Sequence, residues 1–179
     1  MYKKVRKILI VVDMQNDFID AALGTKEAVS IVEAVKDKIR TYQPDDIYVT
    51  MDTHGENYME LREGRFLPVP HCIRGTEGWQ IREDIAALLG GAHVFEKPTF
   101  GSTALAEEIK KIAEKEAISV ELIGLCTDIC VVSNALLLKA NMPEVDISVD
   151  ASCCAGVTPE KHLAALETMR SCQIQITND

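Results

Sequence analysis

An α/β domain with a mostly parallel sheet is predicted by three features of this 179-residue chain. Short apolar, β-branched runs recur along its whole length. Segments with apolar residues at three- and four-residue spacing fall between most of them. No low-complexity stretch, repeat or linker interrupts the alternation. Strands that alternate with helical segments make parallel sheets, because each crossover lays a helix back onto a sheet face. Six such runs suit one domain spanning residues 1–179, built as a three-layer α/β/α sandwich.

The elements follow in order. The first run, 8–12, comes after the basic segment MYKKVRK. A basic stretch before an apolar run has the outline of a secretion signal, but this run is short, ends in Asp13 and has no small-residue cleavage site. It reads as a buried strand, and the protein as cytoplasmic. A helical pattern covers 28–39 and the next strand 47–51. The connection 52–78 breaks the rhythm. It is rich in Gly, Pro and charge, it holds two of the four histidines, and loops of that length are usually functional when ordered. Helical patterns at 81–89, 105–113, 131–140 and 162–169 then alternate with strands at 93–95, 119–123, 145–149 and 174–176.

Composition limits the partners. An apolar fraction of 47%, a charged fraction of 26% and a net charge of −9 describe an ordinary globular chain whose acidic balance disfavours nucleic acid and anionic membranes. No run reaches membrane-spanning length. The six cysteines, at 72, 126, 130, 153, 154 and 172, show no paired C-x-x-C zinc pattern and are expected to stay reduced in the cytoplasm.

Three positions have the makings of a nucleophilic site. The segment Glu121-Leu-Ile-Gly-Leu-Cys-Thr-Asp-Ile-Cys130 reads as strand, sharp turn and helix, with Gly124 ending the strand and Thr127 and Asp128 as cap residues. Cys130 then sits in the first turn, where free N–H groups and the positive end of the helix dipole favour a reactive thiolate. A buried, inert cysteine is the alternative reading. Asp13 ends the first strand and points at the crevice where open α/β sheets take ligands, as a base for the thiol or as a helix cap. Lys97 follows the third strand in Glu-Lys-Pro-Thr-Phe-Gly-Ser, either charge-stabilising in the site or on the surface. In the long connection, Asp52 and His54 lie two apart in extended chain and so share a face. His71 and Glu63 follow, and the four together suit Zn²⁺, Fe²⁺ or Mn²⁺.

The motifs Val12-Asp13-Met14-Gln15-Asn16-Asp17-Phe18, Asp52-Thr53-His54, Pro70-His71-Cys72, Lys97-Pro98-Thr99-Phe100 and Gly124-Leu125-Cys126-Thr127-Asp128-Ile129-Cys130-Val131, taken in that order, resemble the isochorismatase-like cysteine hydrolases, and most closely their nicotinamidase branch. The resemblance spans nearly the whole chain. It implies a six-stranded parallel sheet in the order 3-2-1-4-5-6 and a catalytic triad of Asp13, Lys97 and Cys130. It also implies a cis peptide at Leu125–Cys126 and an oxyanion hole from the N–H groups of Cys126 and Cys130. By the same resemblance Asp52, His54 and His71 bind a divalent metal, with zinc first and Mn²⁺ or Fe²⁺ as alternatives. Glu63 is the fourth ligand and Glu60 the fallback. Phe18 and Leu125 are placed at the substrate. The second ring-stacking aromatic of the family is missing, because Leu67, Pro68, Val69 and Pro70 fill that stretch; Trp79 reads as packing. The expected reaction is nicotinamide to nicotinate and ammonia through a cysteine thioester, with no redox cofactor, in a homo-oligomer.

Other readings carry their own markers. A metal-free amidase for a carbamoyl or ureido compound would lack the Asp-x-His and later His together. Isochorismatase itself lacks the cysteine. A redox sensor would pair Cys126 with Cys130. A flavodoxin-like nucleotide binder would need a Gly-rich loop after the first strand, and this chain has none.

Overall fold

A computed structural model describes residues 5–179. Lys3 and Lys4, part of the basic N-terminal segment, lie outside the described residues. Six strands form one parallel sheet: β1 (Arg6–Val12), β2 (Ile47–Asp52), β3 (His93–Lys97), β4 (Ile118–Leu125), β5 (Asp146–Ala155) and β6 (Gln175–Thr177). Their spatial order is β3-β2-β1-β4-β5-β6, as the family resemblance implies. The helices are α1 (Asn16–Ile19), α2 (Lys26–Ser30), α3 (Val32–Arg40), α4 (Arg62–Phe66), α5 (Glu83–Ala86), α6 (Thr103–Ala113), α7 (Val132–Asn141) and α8 (Pro159–Ser171).

The period-2 geometry of β1 explains the layering. Ile8, Ile10 and Val12 enter a core with Leu105 and Ile109 of α6, Leu138 of α7 and Met169 of α8. Leu9 and Val11 enter another with Val32, Val35 and Ile39 of α3 and Ile85 of α5. Successive residues of a strand face opposite sides, so a central strand covered twice must be apolar throughout. All five residues from Ile8 to Val12 are fully buried.

The alternation located each strand, but the bounds moved. The pattern at 28–39 is two helices, because Ile31 ends α2 and begins α3. The pattern at 81–89 shrinks to the single turn of α5. The run at 145–149 continues to Ala155, since Cys154 and Ala155 pair with Gly124 and Leu125. Gly124 does not end β4. It sits at a register shift with φ +117°, where a Cβ would meet Val12 O at 2.2 Å. No other residue fits there. Among the described residues no helix is long and apolar enough to cross a membrane.

Candidate active site

β1 and β4 are neighbours whose outgoing connections fall on opposite sides of the sheet. A crevice opens beyond their C-terminal ends at such a reversal of strand order. Asp13 stands there, one residue past β1, with φ +49° and its N–H bonded to Thr50 O of β2 at 3.1 Å. It caps no helix, since Gln15 is the residue before α1. The carboxylate is fully buried. Oδ1 accepts from the Thr50 hydroxyl at 2.7 Å. Oδ2 lies 2.6 Å from Lys97 Nζ, and Lys97 Nζ lies 3.4 Å from Cys130 Sγ. The three residues of the expected triad, from three different strand ends, therefore meet in one buried cluster.

Burial sets the protonation of this cluster. Desolvation raises the Asp13 carboxyl, against the pull of Lys97. Burial acts to lower Lys97, but Asp13, Cys130 and Asp52 outweigh it and hold the ammonium charged. Burial and then Asp13 push the Cys130 thiol well up, with Lys97 opposing. Cys130 is 4% exposed, so burial works against the thiolate that its place in the first turn was expected to favour.

The turn that carries Cys130 also differs from a capped helix. The peptide between Leu125 and Cys126 is cis. Residues Thr127–Val131 form a π-helical turn, in which Val131 N–H reaches Cys126 O at 3.1 Å. Cys126, not Thr127 or Asp128, is the residue before it, and its side chain makes no cap bond. The two expected cap side chains are used for tertiary contacts instead. Thr127 Oγ1 is 2.8 Å from His162 Nδ1 of α8, and Asp128 Oδ1 accepts from Val157 N at 2.9 Å.

Beside the sulfur lies a cluster of metal-ligand side chains. Asp52, His54, Glu63 and His71 bring one donor atom each within 4.8 Å of one another. Asp52 Oδ2 is 2.9 Å from His54 Nε2 and 3.4 Å from His71 Nε2. Glu63 Oε1 is 3.7 Å from the first and 3.6 Å from the second. Donors around a tetrahedral ion with bonds of about 2.0–2.2 Å stand roughly 3.3–3.6 Å apart, so the residues fit a divalent metal. His71 Nδ1 donates to Val69 O at 2.8 Å. A carbonyl only accepts, so Nε2 keeps its lone pair for the cluster. Burial raises Asp52, but the His54 bond and the nearby Lys97 ammonium work against it and leave its carboxyl well below the usual range. Glu60 is not among the four. Lys97 Nζ lies 3.7 Å from Asp52 Oδ1 and links this cluster to the triad.

A small cavity of about 50 Å³ connects Cys130 with Asp52, Glu63 and His71. Its apolar wall is Phe18, Leu23, Leu67, Phe100 and Ile129. The Phe18 ring centroid lies 5.5 Å from that of His71. Leu125 does not line the cavity. It is buried in the core with Leu9 and Val11, because its strand position turns the side chain into that layer. Trp79 packs against the same core and donates from Nε1 to Thr53 Oγ1 at 2.9 Å. Phe100, in the segment after β3, puts a second ring on the cavity wall. A wider vestibule of about 480 Å³ opens outside Glu63 and Phe100.

The isochorismatase domain pattern matches residues 7–179.

The chain belongs to the isochorismatase family.

Relatives within it share the whole domain. The nicotinamidase/pyrazinamidase of Mycobacterium tuberculosis is 26% identical over 186 aligned positions, covering 95% of this chain and 97% of that one. The crystal structure of the nicotinamidase/pyrazinamidase of Bacillus subtilis superposes with a TM-score of 0.83 at 26% identity, covering 97% of this chain and all of that one. The pyrazinamidase of Pyrococcus horikoshii, solved with zinc, gives 0.78 at 28% identity over 97% of this chain and 99% of its own.

Sequence reasoning missed Thr50, Asn134 and His162. Thr50 had a signal, since it lies two before Asp52 and shares its face. Asn134 and His162 had none, because their partners come from distant segments.

Proposed function

We propose that this isochorismatase-family chain is an amidohydrolase of nicotinamidase type, converting nicotinamide to nicotinate and ammonia. The convergence of Asp13, Lys97 and Cys130 beside a four-donor cluster carries the reading, and the two nicotinamidase/pyrazinamidase relatives support it.

Asp13 takes the proton from the Cys130 thiol, and the sulfur attacks the carboxamide carbon. A carboxylate raised by burial is a stronger base than a solvated one, which suits a thiol that burial also pushes up. The N–H groups of Cys126 and Cys130 hold the oxyanion that forms. Asp13 returns the proton to the departing nitrogen and ammonia leaves, giving a thioester. Asp13 then takes a proton from water and the hydroxide attacks the acyl carbon; the carboxylic acid leaves as Asp13 returns that proton to the sulfur, and the acid ionises in solution. Lys97 keeps its charge throughout and offsets the anionic character passing between Asp13 and Cys130. Phe18 and Phe100 hold the ring. A divalent ion held by Asp52, His54, Glu63 and His71, zinc first with Mn²⁺ and Fe²⁺ as alternatives, would supply a Lewis-acid site for a ring nitrogen. The zinc of the Pyrococcus relative supports that choice. We further place the protein in the cytoplasm, as one domain in a homo-oligomer serving NAD salvage.

The aliphatic wall of Leu23 and Leu67 favours one second reading, a different small carboxamide on the same machinery. Ammonia release from nicotinamide and from a panel of small amides decides between them. Cys130→Ala should remove at least about a thousandfold of the rate. Release that survives this change would sink the mechanism. A stable Cys126–Cys130 disulfide with no amidase activity would favour a redox module.

A further inference from the structure

We propose that Asn134 is a positioning residue that ties the segment carrying Lys97 to the turn carrying Cys130, and so sets the separation of ammonium and sulfur. The inference rests on the amidohydrolase reading of that site. Lys97 ends β3, the edge strand, and Cys130 follows β4, so β2 and β1 stand between them. No ladder hydrogen bond joins their strands. The ion pair with Asp13 holds the tip of the lysine from β1, but something else must hold its loop against the nucleophile's helix.

Asn134 does so. It is four residues after Cys130 and 1% exposed. Its Nδ2 donates to Cys130 O at 2.8 Å and to Phe100 O at 3.1 Å. Its Oδ1 accepts from Ser102 N at 2.9 Å. A side-chain amide offers two N–H donors and one carbonyl, and here all of them are engaged. One N–H grips the nucleophile's own carbonyl. The other N–H and the carbonyl grip two points on the six-residue segment from Lys97 to Ser102, which also includes the cavity-lining Phe100. Lys97 Nζ adds a bond to Thr99 O at 3.1 Å within the segment. Fixing Phe100 and Ser102 therefore fixes the base of the lysine. Buried amides with every group satisfied specify geometry tightly, because any slip leaves a polar atom unpaired away from water.

Asn134→Ala removes all three bonds. Asn134→Asp is nearly isosteric, keeps the acceptor for Ser102 N and loses both donors. The full-length protein and both variants are compared for nicotinamide kcat and KM, for melting temperature, and for the pH dependence of Cys130 alkylation by iodoacetamide, read by mass spectrometry of its peptide. We expect kcat to fall at least about tenfold with KM within about threefold. The alkylation midpoint should rise by about half a pH unit or more as the ammonium drifts from the sulfur. A lowered melting temperature with unchanged kcat and midpoint would mean that Asn134 only packs, and would overturn the proposal. If Asn134→Ala does not fold, Asn134→Asp answers alone. If the unmodified protein releases no ammonia from nicotinamide, the substrate reading fails, while the alkylation midpoint still decides the role of Asn134.

Discussion

The two oxygens of Asp13 have different neighbours, and this decides what its carboxylate can do. Oδ1 is committed to the Thr50 hydroxyl, whereas Oδ2 lies 2.6 Å from the Lys97 ammonium, accepts no hydrogen bond otherwise and is the one available for a proton. Thr50→Val keeps the shape but leaves Oδ1 without a donor in a fully buried position, where a lost bond to a charged group costs about 1.5–3 kcal/mol. Much of that cost falls on the orientation of the base. We expect kcat on nicotinamide to drop about tenfold or more with KM little changed, measured by steady-state ammonia release. An unchanged kcat would show that Lys97 alone orients Asp13. The residue types of this cluster were legible in the sequence, and so was the chemistry each can perform. Their protonation was not, because a thiol's state depends on how much water the fold leaves around it.

At the scale of elements, the β4 end and the turn after it place the nucleophile. Gly124 is what lets β4 approach β1 so closely. Gly124→Ala adds a methyl that would meet Val12 O at 2.2 Å, at a φ of +117° that side chains avoid. Backbone rather than a flexible side chain must then move, and a loss of about 2–4 kcal/mol is expected. Chemical denaturation checks this, and a loss below about 1 kcal/mol would show that the bulge relaxes freely. The same glycine looked like a strand terminator in the sequence, because glycine marks both turns and close approaches. Likewise Thr127 and Asp128 read as caps from local chemistry. The fold instead spends them on α8 and its preceding loop, since competing partners are brought in by segments about 30 residues away.

Two expectations belong to the whole molecule. First, Asp150 in β5 pairs with Lys38 of α3 at 2.7 Å. Burial raises Asp150, but bonds from Lys38, Ser152 and Asn178 outweigh it and hold the folded value below the ordinary one. Burial lowers Lys38, and Asp150 and Glu121 outweigh it to leave it raised. A depressed acid stabilises above its unfolded pKa and loses that contribution as pH falls through the folded value. A raised lysine stabilises below its unfolded pKa and loses that as pH rises through the folded one. Asp150→Asn should therefore lower Tm by about 2–6 °C between pH 5 and 9. The difference should shrink below about pH 3. A difference that does not vary with pH would show that the pair contributes only packing. Second, the four donors at 52–71 bind only in the folded chain, so a resident ion stabilises it by mass action. Thorough chelation should remove activity and also lower Tm, by about 2–4 °C per kcal/mol of binding energy lost. Restoring the metal should reverse both. A melting temperature indifferent to chelation would mean that the cluster holds no ion in the protein as isolated.

Taken by itself, the sequence determined the layered α/β class, the position of each strand and the residue types gathered at the strand ends. Periodicity and short motifs are local, and they survive in a linear reading. The resemblance to a family added the strand order and the roles expected of five segments. Only the tertiary structure decided that Leu125 turns into the core while Phe100 comes to the cavity, that Glu63 and not Glu60 joins Asp52, His54 and His71, and that the Cys130 sulfur is shut away from water. Only it could show Asn134 spanning from α7 to the loop after an edge strand. Those outcomes depend on long-range packing and on the exclusion of water, and neither leaves a mark on the residues next along the chain.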